Sequence, residues 1–461
     1  MNEKTLFSKS TNIKKRYLET IRCDKMAFSR ERKIRLPELF IPMLANKGRS
    51  QKNELFGFYR EVNQSMDVSA TAFFNARMKF NPEALLTIMQ DITKEEYEEP
   101  DIISKYNDYY ILAIDGSDVN LPATEETRAK YGHYNNQHGD AINTVLASIS
   151  TLYDCINELF LDIKIKPYKS SEDKNAMEHM NFIKDYLATG EKYLTIFDRG
   201  YPGIRLIDQM IEDNQFFLMR LLGTHLKKEQ QALSDGNPDQ WIDVEYKKER
   251  ANYYSDDRKF YNKLQNTIYR LRFIKLDHID KNGASQTNYF ITNLSNEDFS
   301  TESIYELYHL RWKIETGYRS LKSQIKMENF SGVRDILIRQ DIYASTFIYN
   351  NVSMTVAESE AERKLNNQTE YKYPQKTNRN FALGVLKTDL LKMFVLYKNK
   401  KAVQQAQKKF EENIIKYSCP IREGRSKPRE VIGNHKNKHS YKKVFRSNLI
   451  SSNKLSVIAI F

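Results

Sequence analysis

Three carboxylates, Asp115, Asp198 and Glu315, lie in segments whose patterns would bring them to one place. Close carboxylates repel one another unless cations neutralise them. Mg2+ prefers hard oxygen ligands, keeps some of its waters and takes further ligands from substrate phosphates. Two such ions a few ångströms apart clamp the attacking and leaving oxygens of an in-line displacement at phosphorus. With one ion activating water or a DNA 3′-hydroxyl and the other stabilising the departing 3′-oxygen, one site could perform both strand cleavage and strand joining.

The spacing TESIYELYHLRWKIETGYRSLKSQIKMENF predicts one long helix over 301–330. At ~100° per residue, with Tyr308 as zero, Arg311 falls at about 300°, Lys322 at about 320° and Glu315 at about 340°. Arg319 and Lys326 extend that polar stripe. Leu307, Leu310, Ile314, Leu321 and Ile325 fall at roughly 200–260° and form the buried face. An acid flanked by Tyr, Arg and Lys beside an apolar stripe suits a site where a polyanion meets a metal. The same spacing also describes a solvated face with i,i+4 ion pairs such as Arg311–Glu315.

The two aspartates follow apolar runs. YYILAID (109–115) and YLTIFD (193–198) are strands by composition, and each precedes a Gly-containing turn, Asp115-Gly116-Ser117 and Asp198-Arg199-Gly200-Tyr201. Strand-end carboxylates sit on the rim of a sheet, where open α/β sheets bind ligands. Asp-Gly and Asp-Arg-Gly are also ordinary turn openers. If neighbouring strands carry both and the helix brings Glu315 to the same edge, three acids converge.

The elements around these residues have a legible order. Residues 1–105 are predicted as a helical, DNA-binding region. LPELFIPMLANKG has helical spacing and a Gly stop, and NPEALLTIMQDI opens with Asn81 as N-cap and Pro82 at the first helical position. VSATAFFNARMKF carries Arg77 and Lys79 on a basic helix that could lie along DNA or pack inward with a charged outer face. From residue 106 to 222 the pattern is strand, strand, strand, helix, strand, helix, strand, with 143–154 and 157–165 as a hairpin. That gives an α/β mixed sheet with flanking helices, in an order that resembles the ribonuclease-H-like fold. Residues 223–287, rich in Lys, Asn, Asp and Tyr, are expected to be a β-rich insertion. The core then resumes over 288–400 with the Glu315 helix, and 401–461 is a basic tail punctuated by Pro and Gly.

Charge supports a polyanionic partner. The net charge is +12, but residues 1–60 carry +9 and residues 401–461 carry +10, leaving −7 on the 340 residues between. Basic ends around an acidic centre suit nucleic-acid phosphates, and solvated termini are the other reading. No apolar run reaches ~18 residues, and the basic, polar N-terminus lacks an apolar signal core, so neither a membrane span nor secretion is expected. Cys23, Cys155 and Cys419 lie far apart without a C-x-x-C spacing, which fits a reducing, cytoplasmic setting.

Tyr308-x2-Arg311-x3-Glu315-x6-Lys322 resembles, without a gap, the YREK pattern of the DDE insertion-sequence transposases, in particular the large bacterial type-four family. Asp115 in IDGSDVNLP and Asp198 in DRGY resemble that family's two aspartate motifs. FSRERKIRLPEL, TNLSNEDFS and IREGRSKPR are similar too, so the likeness spans roughly residues 25–445. It implies a metal triad of Asp115, Asp198 and Glu315 binding two Mg2+ ions, with Mn2+ as a substitute. It implies phosphate contacts from Tyr308, Arg311 and Lys322. The implied partners are double-stranded DNA, as terminal inverted repeats and target, and a second copy of the chain joining two ends. A ribonuclease-H-like nuclease or a catalytically silent DNA-binding descendant are the alternatives.

Other residues have weaker claims. Trp241, in the insertion, could stack on an extruded base or pack a small core. Arg199 and Arg319 could add phosphate contacts or form surface ion pairs. His435 and His439 have ligand-like spacing but lie in the Lys-rich tail, where solvation is expected rather than zinc.

Overall fold

The aromatic and aliphatic run YYILAI opens Tyr109–Leu121, which forms the central strand of the protein, β1. The computed structural model describes residues 16–422, apart from 31–32, 62–65, 67, 99–102, 133–143, 235, 280–282, 284, 366–371 and 397–399. The tail from 423 onward, with His435, His439 and most of IREGRSKPR, lies outside the described residues.

Eight strands form one sheet: β1, β2 (Val145–Asp154), β3 (Leu159–Pro167), β4 (Lys192–Phe197), β5 (Phe216–Leu221), β6 (Asp239–Glu245), β7 (Ile268–Ile279) and β8 (Ser285–Thr292). Their spatial order is β3-β2-β1-β4-β5-β8-β7-β6. β1, β2 and β3 are antiparallel neighbours, while β4 and β5 run parallel to β1. The expected hairpin is β2–β3, and the expected crossovers are the helices Glu172–Tyr186 and Ile204–Glu212. Parallel strands need such crossovers, which place a helix on a face of the sheet. The order β3-β2-β1-β4-β5 is that of the ribonuclease-H-like core.

Both faces of the sheet are covered. Ile111 and Ala113 belong to one apolar core, Tyr110, Leu112 and Ile114 to the other. This period-two alternation in a strand apolar on both sides is what two-sided burial requires. One core includes Leu85 and Ile88 of the helix Pro82–Tyr97 and Ile342 and Phe347 of the helix Asp335–Leu365. The other includes Met180 and Ile183 of the first crossover and Leu206 and Met210 of the second.

Local signals explain several helix starts. The side chains of Asn81 and Ser171 accept from backbone N–H groups of Glu83 and Lys174, capping their helices as the residue types suggest. The helix Leu36–Leu44 forms, but its last residue lies four before Gly48, with Ala45 as the C-cap.

Three features refine the sequence reading. Strands β6 and β7, in the stretch 223–287, pair with each other, and β7 pairs with β8, so they extend the central sheet. The segment 301–330 is not one α-helix: Thr301–His309 and Trp312–Arg319 are α-helical, and Ser320–Ile325 widens into a π-helix. Of the two alternatives left open for its helix, Arg77 takes the inward one. It is 1% exposed and its guanidinium donates to Asp341 Oδ1 at 2.7 Å and Gln340 Oε1 at 2.8 Å. It thereby ties the N-terminal helices to Asp335–Leu365, and removing one partner of such a buried pair costs roughly 3–5 kcal/mol.

Candidate active site

The register of the sheet brings the two aspartates level. Ala113 of β1 pairs with Ile196 of β4, the last pair between these parallel strands. Two residues further on in each strand stand Asp115 and Asp198, on strands separated by ~4.8 Å. Asp198 follows the end of β4, as its pattern suggests. Asp115 does not end its strand: β1 continues to Leu121, and Asp115 pairs with Thr151 of β2. Buried Val119 and Leu121 carry the alternation past the Asp-Gly pair. Asp115 is on the rim because its neighbour β4 stops, leaving that flank of β1 without a partner strand.

Glu315 arrives from the other end of the core on Trp312–Arg319. That helix packs through Ile314, and the π turn after it through Leu321, both fully buried, so the apolar stripe lies where the spacing put it. Its approach is close. A Cβ at Gly317 would stand 3.0 Å from Phe160 Cζ and 3.1 Å from Tyr153 Cε2, so any larger residue would have to push these rings back by a few tenths of an ångström.

Arg311 joins the three acids. Its guanidinium lies 3.8 Å from Asp115 Oδ2, 3.7 Å from Asp198 Oδ2 and 3.1 Å from Glu315 Oε1. It is 5% exposed, and its Nε is buried without a hydrogen-bond partner. Burial alone would favour its neutral form, but Tyr308, Asp198, Asp115 and Glu315 outweigh this and raise its pKa. Burial pushes the Asp115 carboxyl up to about 6, against the Gly116 N–H that donates to it at 2.8 Å and the charge of Arg311, with Asp198 and Glu315 adding to the rise. Among the described residues no three His, Cys, Asp or Glu side chains stand close enough to share one metal ion. The acids meet through a cation, not directly.

The remaining sequence candidates divide into two groups. Tyr308 is buried, stacked edge-on against Phe290 and within cation–π distance of Arg311. Lys322, on the π-helix, donates to Ser117 Oγ at 2.7 Å and to the Asp118 carbonyl at 2.5 Å, and burial lowers its pKa. Both therefore border the site. Arg199 and Arg319 are exposed. Trp241 is on β6, the far edge of the sheet, where its Nε1 donates to Asn296 Oδ1 at 2.8 Å. Five strand intervals of ~4.8 Å separate β6 from β1, so Trp241 is not beside the acids.

Three neighbours went unnoticed in the sequence. Ser117 holds Lys322. Glu172 reaches between the two aspartate turns, with Oε2 3.3 Å from where a Cβ at Gly200 would sit. Burial and the charges of Asp173, Asp198 and Asp118 raise its pKa. Tyr318 is buried, and its hydroxyl donates to the Asp115 carbonyl at 2.8 Å. Its helical angle, about 280° on the scale above, puts it between the apolar and polar stripes, and a tyrosine at such a boundary was the available signal.

The mixed sheet, with two aspartates level on adjacent strands and a glutamate brought by a distant helix, has the ribonuclease-H-like fold. Residues 106–351 match the family model described as "Transposase DDE domain". The chain thus belongs to the DDE transposases, divalent-metal-dependent enzymes that cleave DNA and transfer the cut strand. It is 22% identical over 367 residues to the transposase for insertion sequence element IS231F from Bacillus thuringiensis subsp. israelensis, covering 70% of each chain. It is also similar to the piggyBac transposase in a cryo-EM structure of its synaptic complex with hairpin DNA. That likeness has a TM-score of 0.41 at 9% identity, over 82% of this chain and 75% of that one. No helix among the described residues is long and apolar enough to cross a membrane.

Proposed function

We propose that Asp115, Asp198 and Glu315 hold the divalent ions with which this transposase cuts the ends of its element and joins them to target DNA. The observation that carries this is the placement of one carboxylate oxygen of each acid within 4 Å of the single Arg311 guanidinium. A spot where three hard-oxygen donors already share one cation fits Mg2+ in donor type, and Mn2+ equally. Two ions held there would supply activation of the attacking hydroxyl and stabilisation of the departing 3′-oxygen.

The chain's own residues do the rest. The Arg311 fork, matched in shape to carboxylate and to phosphate, neutralises the acids and turns to a DNA phosphate when metal takes its place. Tyr308 packs against that guanidinium and fixes its direction. Lys322 secures the β1 segment Ser117–Asp118 just past Asp115 and adds a positive charge beside the scissile strand, with exposed Arg199 and Arg319 extending the contact along the backbone. The DNA is double-stranded: terminal inverted repeats first, target second. Joining two ends in one event calls for two copies of the chain. The N-terminal helices and the basic tail would add further contacts to the DNA backbone.

The test is an in vitro reaction with labelled terminal-repeat DNA, target plasmid and Mg2+. Inserted product from the wild-type chain, with none from Asp198→Asn at retained end binding, supports the reading. Cleavage without joining would make the chain a nuclease. Unchanged product from Asp198→Asn would remove the triad.

A further inference from the structure

We infer that Tyr318 is a positioning residue that sets the separation of Glu315 from Asp115, a role that rests on the triad proposed above. These acids are 200 residues apart in sequence, and no strand pairing joins their elements. Tyr318, one turn beyond Glu315, does. Its hydroxyl donates to the Asp115 carbonyl at 2.8 Å, and the Ile149 carbonyl is also near, at 3.3 Å. Thr151 Oγ1 donates back to it at 2.8 Å. Thr151 is the residue of β2 paired with Asp115, so one hydroxyl is tied to both members of a single cross-strand pair.

The bond is set in a rigid surround. Tyr318 is 6% exposed and its ring lies against Phe160. The glycine before it brings the helix backbone close against Tyr153 and Phe160, where a Cβ would stand only 3.0–3.1 Å from their rings. Aromatic packing and close approach fix the helix in the direction normal to the sheet. The hydroxyl fixes where along β1 it sits, and hence which atoms of Asp115 face Glu315. Beyond Ser320 the helix widens into a π turn, so the α-helical register ends just after the residue that pins it. Misplacing a reacting constellation by ~1 Å can cost on the order of 100-fold in rate.

The test compares the wild-type chain with Tyr318→Phe, Thr151→Val and Asp115→Asn. Cleavage of terminal-repeat DNA gives kcat and KM, electron paramagnetic resonance gives Mn2+ affinity of the protein, and thermal melting gives stability. Tyr318→Phe is expected to keep KM for DNA, to lose roughly 10- to 100-fold in kcat and to bind Mn2+ several-fold more weakly. Thr151→Val, which keeps the bond to Asp115, is expected to shift the same quantities less. A Tyr318→Phe protein with wild-type kcat and Mn2+ affinity overturns the inference, even if it melts earlier, because lost stability alone is a structural role. Full activity in Asp115→Asn would instead overturn the triad itself.

Discussion

The Arg311 guanidinium donates to Glu315 Oε1 at 3.1 Å, one helical turn away, while facing the two aspartates of the sheet. The i,i+4 pair that sequence alone allowed as a bland surface contact is therefore real, but it is half-buried and shared with two further acids.

Removing that cation should be felt before any chemistry. Arg311→Ala leaves three carboxylates without a common partner, and a fully buried pair broken this way costs roughly 3–5 kcal/mol. The carboxylates of Asp198 and Glu315 are 37% and 35% exposed, so screening reduces the loss to about 1–3 kcal/mol. Thermal melts should show a lower Tm that millimolar Mg2+ partly restores, with a smaller Mg2+ effect on wild type. A variant that melts like wild type and ignores Mg2+ would show that the acids do not depend on Arg311.

Lys322 should contribute to end binding electrostatically. Lys322→Ala is expected to reduce the slope of log K against log salt by about 0.9, one phosphate's worth of released counterions. It should also slow cleavage by loosening Ser117. Fluorescence anisotropy at four or five salt concentrations measures the slope, and an unaltered slope assigns Lys322 to holding β1 alone.

Much of this was legible because local chemistry and tertiary structure agree. Period-two burial through Tyr110–Ile114, the caps Asn81 and Ser171, and the apolar stripe through Ile314 and Leu321 all report what their neighbours must be. Interactions between distant segments were not legible. Nothing in 223–287 says that β6 and β7 continue the main sheet, because strand composition does not name a partner. Arg77 looks like any basic helix residue until Asp341 meets it from 264 residues away. The break near Arg311 and the π turn after Arg319 escape a count at a constant ~100° per residue. Asp115 was located correctly for an incomplete reason: the rim exists where β4 stops, not where β1 does.

Protons and metal should compete at Asp115. Its carboxyl is neutral below about 6 and charged above, with burial as the main cause. A metal ligand must be deprotonated, so cleavage at limiting Mg2+ should fall as pH drops through about 6. Raising Mg2+ should move that midpoint to lower pH. A midpoint indifferent to Mg2+ would assign the titration to another group.

Glu358 provides a pH test of stability remote from the site. Burial, with Glu411 and Glu96 nearby, pushes its carboxyl up to about 7, against roughly 4.3 in an unfolded chain. The folded state then binds the proton more tightly, so this group's contribution is complete below pH ~4.3 and is lost as pH rises through about 7. Glu358→Gln should raise Tm by a few degrees at pH 8 and leave it nearly unchanged at pH 5, by calorimetry. Equal effects at both values would mean that the carboxyl does not titrate in this range.

The central claim is that three acids from distant segments form one metal site on DNA. Anomalous diffraction from crystals of the chain with terminal-repeat DNA and Mn2+ tests it most directly. The account predicts manganese peaks at ~2.2 Å from carboxylate oxygens of Asp115, Asp198 and Glu315, with the Arg311 guanidinium turned to a phosphate. Manganese bound elsewhere, with Arg311 still bridging the three acids beside bound DNA, would contradict it.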